Sequence, residues 1–229
     1  MPTIKNLTAI GIRAIDAKLI CDPNGGWEEI DEIPVYSSAV LIDVDTTTLP
    51  NTRYEEGMKC RCKQGAGYLY FYIVAVGASQ LGILGDAITS AAITDFAISN
   101  DAVALDFPEL FDWTPTFTGF TAAPTGGIYQ FRIDGKICTV FCRQPNTGTS
   151  STAALTISAP VAAKTLTNAV WGSACPVVDA GAAVATFGRI QIVSAATAFD
   201  AYTNAAAAGW TAGGVNKRVV SFSVSYPYV

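Results

Sequence analysis

Residues 86–105 read DAITSAAITDFAISNDAVAL, four five-residue units in register. Ile88, Ile93, Ile98 and Val103 each follow an alanine, and the next positions are Thr89, Thr94, Ser99 and Ala104. A period of five matches neither the α-helix, at about 3.6 residues, nor the alternating strand. A lone chain with one large apolar side chain every fifth residue has no second row to cover it. A symmetry copy of the same chain would supply one, with the β-branched residues meeting on a shared axis. The segment therefore predicts an intertwined shaft in a homo-oligomer, with Ile88, Ile93, Ile98 and Val103 on its axis. The competing readings are a ragged helix or surface loop inside one globular domain, and a right-handed pentapeptide β-helix. The β-helix is set aside, because four units are few for a solenoid and alanine stands directly before the central aliphatic residue.

Composition points the same way. Of 229 residues, 50% are apolar and only 14% charged, where about 25% is usual. So few charges suit a surface built from Thr, Ser and Ala, or one partly buried in an assembly. The net charge is −3 over residues 1–80, −6 over 81–112 and +4 over 113–229. Such a distribution lacks the clustered Lys and Arg of a nucleic-acid binder. The mildly basic C-terminal part suits an anionic polysaccharide surface. MPTIKNLTAIG has no basic leader followed by an apolar core, so no signal peptide is expected. The longest apolar run, residues 69–78, is half the ~20 residues of a membrane span, so no membrane insertion is expected.

Residues 1–80 read as a small β-rich domain. VYSSAVLIDVDTTTLP (35–50) alternates as a strand entering a Thr-rich turn. KCRCK and YLYFYIVAV are two further strands about the turn QGAG. Residues 22–26, DPNGG, mark a turn, whereas residues 4–20 read equally well as a strand pair or a helix. From 113 onward short strands alternate with Thr, Gly and Ala turns, which predicts an antiparallel sandwich or jelly roll. IYQFRIDGKICTVFCR reads as a hairpin turned at Asp134-Gly135.

Three stretches carry a resemblance. GDAITSAAITDFAISNDAV is similar to the shaft repeats of bacteriophage tail and head fibres, which are homotrimers. TLPNTRYEEGMKCRCKQGAGYLYFYIV resembles a module near the start of many phage fibre proteins, where the N-terminal part docks on the virion. In the C-terminal part the order is Trp113 and Pro115, Tyr129 and Phe131, and Asp134-Gly135-Lys136. Then come Thr147 to Ser150, Leu155-x-Ile157-Ser158-x-Pro160 and a closing FSVSYPY. This order resembles the host-facing tip domain of phage tail fibres. The resemblance implies a mainly β homotrimer: an N-terminal virion-attachment β-domain (1–80), a short intertwined trimeric shaft (81–112) and an antiparallel β-sandwich or jelly-roll tip (113–229). It implies other virion proteins as partners of residues 1–80, and a host-surface glycan or protein as partner of the tip. The location it implies is the virion, assembled in the host cytoplasm and exposed after release.

Catalysis finds little support. The chain has no histidine, which removes Ser-His-Asp and Cys-His nucleophile systems. Beyond residue 112 the carboxylates are Asp134, Asp179 and Asp200, a poor basis for the paired acids of glycan cleavage. Cys60 and Cys62, like Cys138 and Cys142, share a strand face, which suits small buried hydrophobes better than disulfides or zinc ligands. No catalytic, cofactor or metal site is expected. Trp171, Tyr202 and Trp210, in Ala/Gly/Thr-rich stretches read as loops, are the candidate receptor-binding residues, because flat aromatic faces stack on sugar rings. Trp113, Phe117 and Phe120 are expected to anchor the tip onto the shaft, and Tyr226-Pro227-Tyr228 to close an edge strand. A structural head fibre or capsid decoration protein, a polysaccharide depolymerase and a bacterial lectin-like adhesin remain the alternatives.

Overall fold

A computed structural model describes residues 25–31, 33–44, 53–101 and 103–229. The readings of residues 4–20, of Asp22 to Asn24 and of the Thr-rich turn at 45–50 lie outside these. The chain is mainly β, with antiparallel pairing throughout the described sheets. It divides after Pro108 into two compact units.

Unit 1 is one seven-stranded sheet. Its strands are β1 (Glu28–Glu29), β2 (Val35–Ser38), β3 (Leu41–Asp43), β4 (Lys59–Gln64), β5 (Gly67–Val76), β6 (Gln80–Gly85) and β7 (Thr94–Ser99), ordered β1-β7-β4-β5-β6-β3-β2. Alternation along β4 and β5 turns Cys60, Cys62, Phe71 and Ile73 into one core, where Leu81, Ile83 and Ile42 join them. The β4–β5 hairpin turns at Gly65-Ala66, inside the QGAG segment. The single strand read over 35–44 is instead a hairpin, β2 with β3, turned at Ala39-Val40. The break is invisible to alternation because apolar residues continue on both sides of it.

The repeat belongs to this unit, and the shaft reading over 81–112 is corrected here. β6 and β7 are interior strands of the sheet, and residues 81–108 share unit 1's core. Ile88, Ile93 and Ile98 are 2%, 4% and 4% exposed against neighbours of their own chain, so no symmetry copy is needed to cover them. Val103 is 82% exposed, and its neighbour Ala104 is the buried residue of the fourth unit. The four side chains therefore form no common axis within the chain. The five-residue spacing of Ile93 and Ile98 has a local cause. Residues five apart on a regular strand face opposite ways. Between Ala97, opposite Arg61, and Thr94, opposite Lys63, β7 holds one residue more than β4. Asp95, at φ +49°, lies in this bulge. The extra residue brings Ile93 back to the face of Ile98. Gln64 clamps the loop before it, donating from Nε2 to the carbonyls of Thr89 (3.0 Å) and Ala91 (2.8 Å).

The second face of the same sheet is covered by cations interleaved with rings. Lys59, Arg61 and Lys63 stand opposite Tyr72, Tyr70 and Tyr68. The Arg61 guanidinium lies 4.9 Å from the Trp27 ring and 5.1 Å from that of Tyr68, and Lys59 caps Phe107 at 5.3 Å. Here the acidic segment 81–112 meets this face: Lys63 pairs with the Asp95 carboxylate (3.8 Å), and Lys59 donates to the Asp101 backbone carbonyl (2.9 Å).

Unit 2 has three sheets. The first, β21-β12-β11-β8, joins β8 (Phe111–Asp112), β11 (Ile128–Asp134), β12 (Ile137–Arg143) and β21 (Ser221–Pro227). The second, β15-β18-β19-β14-β9, joins β9 (Phe117–Thr118), β14 (Thr156–Ser158), β15 (Val170–Cys175), β18 (Gly188–Val193) and β19 (Ala198–Tyr202). The third, β10-β13-β20-β16-β17, joins β10 (Phe120–Ala122), β13 (Gly148–Ser150), β16 (Val177–Asp179), β17 (Ala182–Ala183) and β20 (Asn216–Val219). The first two form a sandwich: Phe199 of the second packs 5.6 Å from both Phe222 and Tyr226 of the first. The β11–β12 hairpin turns at Gly135-Lys136, with Asp134 paired to Ile137 and Gly135 at φ +58°. β21 is an edge strand of its sheet, as expected, and Tyr226 is fully buried with its hydroxyl donating to the Val161 carbonyl (2.9 Å). Trp113, Phe117 and Phe120 do not reach toward a shaft. They pack within unit 2, Trp113 and Phe117 each 5.7 Å from Tyr129 and Phe117 6.1 Å from Phe120.

All five described cysteines are free and buried. Burial pushes the thiols up, Cys62 and Cys175 to about 11 and Cys138 and Cys142 to about 12. In an unfolded chain they titrate near the ordinary value of 9. Above pH 9 the unfolded state thus sheds protons that the folded state keeps. Folding stability is expected to fall as pH climbs from 9 toward 12, by up to about 1.4 kcal/mol per pH unit for each thiol. Urea midpoints at pH 8 and 10.5 check this. A Cys138→Val/Cys142→Val chain should show a shallower decline in unit 2, and an unchanged slope would exclude the thiols as its cause.

Candidate functional site

The second sheet of unit 2 presents one face to the core and one outward. Ile157, Ile190, Ile192, Phe199 and Ala201 fill the inner face, none more than 3% exposed. Strand alternation then sends their neighbours outward. Registers across the sheet align Gly172, Gln191, Asp200, Thr156 and Thr118 in one row over all five strands. The adjacent row is Ala174, Arg189 and Tyr202. The outward face is thus a strip of amide, carboxylate and hydroxyl groups beside one guanidinium and one phenol ring.

Each group is held in place. The Arg189 guanidinium lies 5.2 Å from the Tyr202 ring centre, and its Nη1 donates to the Ala205 carbonyl at 3.3 Å. The Thr118 and Thr156 hydroxyls share a 2.6 Å hydrogen bond. Asp200 is half-buried between neighbouring strands, and this burial raises its carboxyl above the ordinary value. Flat rows of this kind are rich in hydrogen-bonding groups and offer one stacking surface. They match the hydroxyl-bearing faces of sugars, and they contain no paired acids set for hydrolysis.

At the edge of this face, β15 carries Val170, Gly172 and Ala174, all exposed. Side chains this small leave the floor open. The result is a cavity of about 400 Å³, walled by Val170 and Phe187 on the apolar side and by Arg189 and Gln191 on the polar side. Phe187 is 66% exposed.

The candidate aromatics are distributed unevenly over this geometry. Tyr202 lies on the outward face, half-buried under Arg189. Trp171 stands opposite Ile192, on the core-facing side of β15, and is half-buried there. Trp210 is 3% exposed, its Nε1 donating to the Ala201 carbonyl at 2.7 Å, so it is an interior residue and not a contact surface. The stretches NAVWGSA and FDAY are strands β15 and β19, not loops. Arg189, Gln191 and Asp200 were missed as site residues. The alternation in GRIQIV contained the signal, since it sets Arg189 and Gln191 on the face opposite two isoleucines.

Among the described residues no group of three or more Cys, Asp or Glu side chains stands close enough to hold a metal ion. No described helix is long and apolar enough to cross a membrane. Comparison with protein-family models, curated proteins and solved structures found no match to this chain.

Proposed function

We propose that this chain is a bacteriophage fibre protein, a homotrimer that docks on the virion through residues 1–80 and binds a host-surface glycan through unit 2. The observation that carries the binding role is the polar row across five strands with Tyr202 and Arg189 beside it. The fibre context and the trimeric state rest on the resemblance of the N-terminal and C-terminal stretches to phage fibre proteins, since the repeat itself is folded into unit 1. Weak sites repeated on one particle engage a repetitive polysaccharide with avidity well above that of any single site. No turnover is part of this reading.

The test is adsorption of the purified chain to immobilised host-surface polysaccharide, with native mass measured by light scattering. A Tyr202→Ala chain is expected to bind about tenfold more weakly or worse, the effect of losing a central stacking residue. Trp171→Ala should bind like the parent. Equal binding by the parent and Tyr202→Ala would overturn the assignment of this face. Absence of adsorption to any host polysaccharide would leave a structural fibre without a receptor role, and loss of polymer viscosity would reveal a depolymerase.

A further inference from the structure

Arg189 is the one cation lining the cavity beside β15. Among the described residues it makes no ion pair. Its Nη1 reaches a single carbonyl at a long 3.3 Å, and its Nε is buried without a hydrogen-bond partner. Buried donors without partners are rare and destabilising. The remaining Nη donors of Arg189 are left for an acceptor that the chain itself does not supply. The second feature is the floor. A methyl added at Gly172 would lie 2.3 Å from the Ile190 carbonyl oxygen, so only glycine fits there, and the space above stays open.

We propose that this cavity seats an acidic sugar, a ring whose carboxylate pairs with Arg189. Fixed against Tyr202, the guanidinium offers the planar donor edge that carboxylates match, and little side-chain freedom remains to be lost on binding. Val170 and Phe187 cover the apolar face of the ring, while the Gln191 amide takes its hydroxyls. A volume of about 400 Å³ lies in the small-ligand range. Unit 2 carries seven Lys and Arg against five Asp and Glu, a net of +2 that favours approach of an acidic polymer. This inference rests on the glycan-binding reading of unit 2 and names the class of sugar.

Bacterial-surface polysaccharides rich in uronic acid, immobilised in native and carboxyl-reduced form, give the test. The parent chain is expected to bind native polymer at least ~10-fold more tightly than its reduced twin. Added salt should weaken the native interaction alone. Arg189→Gln should bring binding of native polymer down to the reduced level, and Arg189→Lys should restore part of it. Ala174→Tyr leaves the charge in place and fills the floor; it is expected to lose the same preference, which guards against a folding defect in the Arg189 variants. Equal binding of native and reduced polymer would overturn the acidic-sugar assignment and leave the glycan reading standing. Absence of binding to either form, and to neutral host polysaccharides, would overturn both.

Discussion

An Ile98→Asp chain is expected to lose unit 1 while unit 2 stays folded. Ile98 sits on β7 opposite Cys60, inside a core shared with Phe71, Phe96 and Ile83. A carboxylate there has no partner, and the residue it replaces filled its space. Loss of packing and burial of an unpaired charge together exceed about 4 kcal/mol, a large part of a small domain's stability. Hydrogen exchange read by peptide separates the units: protection should vanish over 59–99 and persist over 137–143 and 221–227. Retained protection over 59–99 with only the native mass reduced would return Ile98 to an axis between subunits.

Lys217→Ala is expected to be the costliest single change in unit 2. The side chain is fully buried, with Nζ donating to the carbonyls of Thr152 (2.7 Å) and Ala154 (3.0 Å). The rings of Phe120 and Trp210 stand 5.1 and 5.9 Å from the ammonium. Truncation removes the shortest hydrogen bond to each carbonyl, leaving Thr152 only the Ser150 hydroxyl (3.3 Å) and Ala154 only the Thr152 hydroxyl (3.2 Å), and opens a void between two rings. The expected loss is about 3–5 kcal/mol, or roughly 12–20 °C in Tm for a unit of this size. Lys217→Met keeps the volume and removes the charge, and should lose much less. Burial, the larger influence, lowers the proton affinity of this amine, and nearby Asp179 partly restores it. The unfolded chain therefore holds the proton to higher pH than the folded one. The stability of the parent relative to Lys217→Met should rise as pH climbs toward the ordinary lysine value of 10.5, opposite in sign to the thiol effect. A difference that falls with pH would mean the folded state favours the charged amine.

How far the sequence could be read depended on whether the deciding interaction was local. Both hairpins were legible, because Gly65 and Gly135 sit between runs of clear alternation. The buried cysteines were legible from same-face spacing. The repeat misled because a bulge in β7 is defined only against β4, thirty residues away, and a period of five carries no trace of it. Strands β15 and β19 were read as loops because Ala, Gly, Ser and Thr carry little strand signal; their pairing with β18 supplies it. Tyr202 was visible as an aromatic residue, yet its setting beside Arg189 and Asp200 exists only in register. Trp210 shows the converse error. A tryptophan among small residues suggests an exposed loop, and here the small residues let the chain fold over it.

The pairing of β12 with β21 over their whole length bears on the order in which the protein becomes finished as it is made. Unit 1 has every described strand in hand once residue 99 has emerged, when β7 arrives to pair with both β1 and β4. Unit 2 cannot close until residues 221–227 arrive, so Cys138, Val140 and Cys142 wait with one flank open through the synthesis of everything between. A ribosome that stalls inside unit 2 would leave a finished first unit tethered to an open half-sandwich. The outward polar face, on strands 156–202, is the part that such an incomplete chain would already carry, before β21 completes the first sheet behind it.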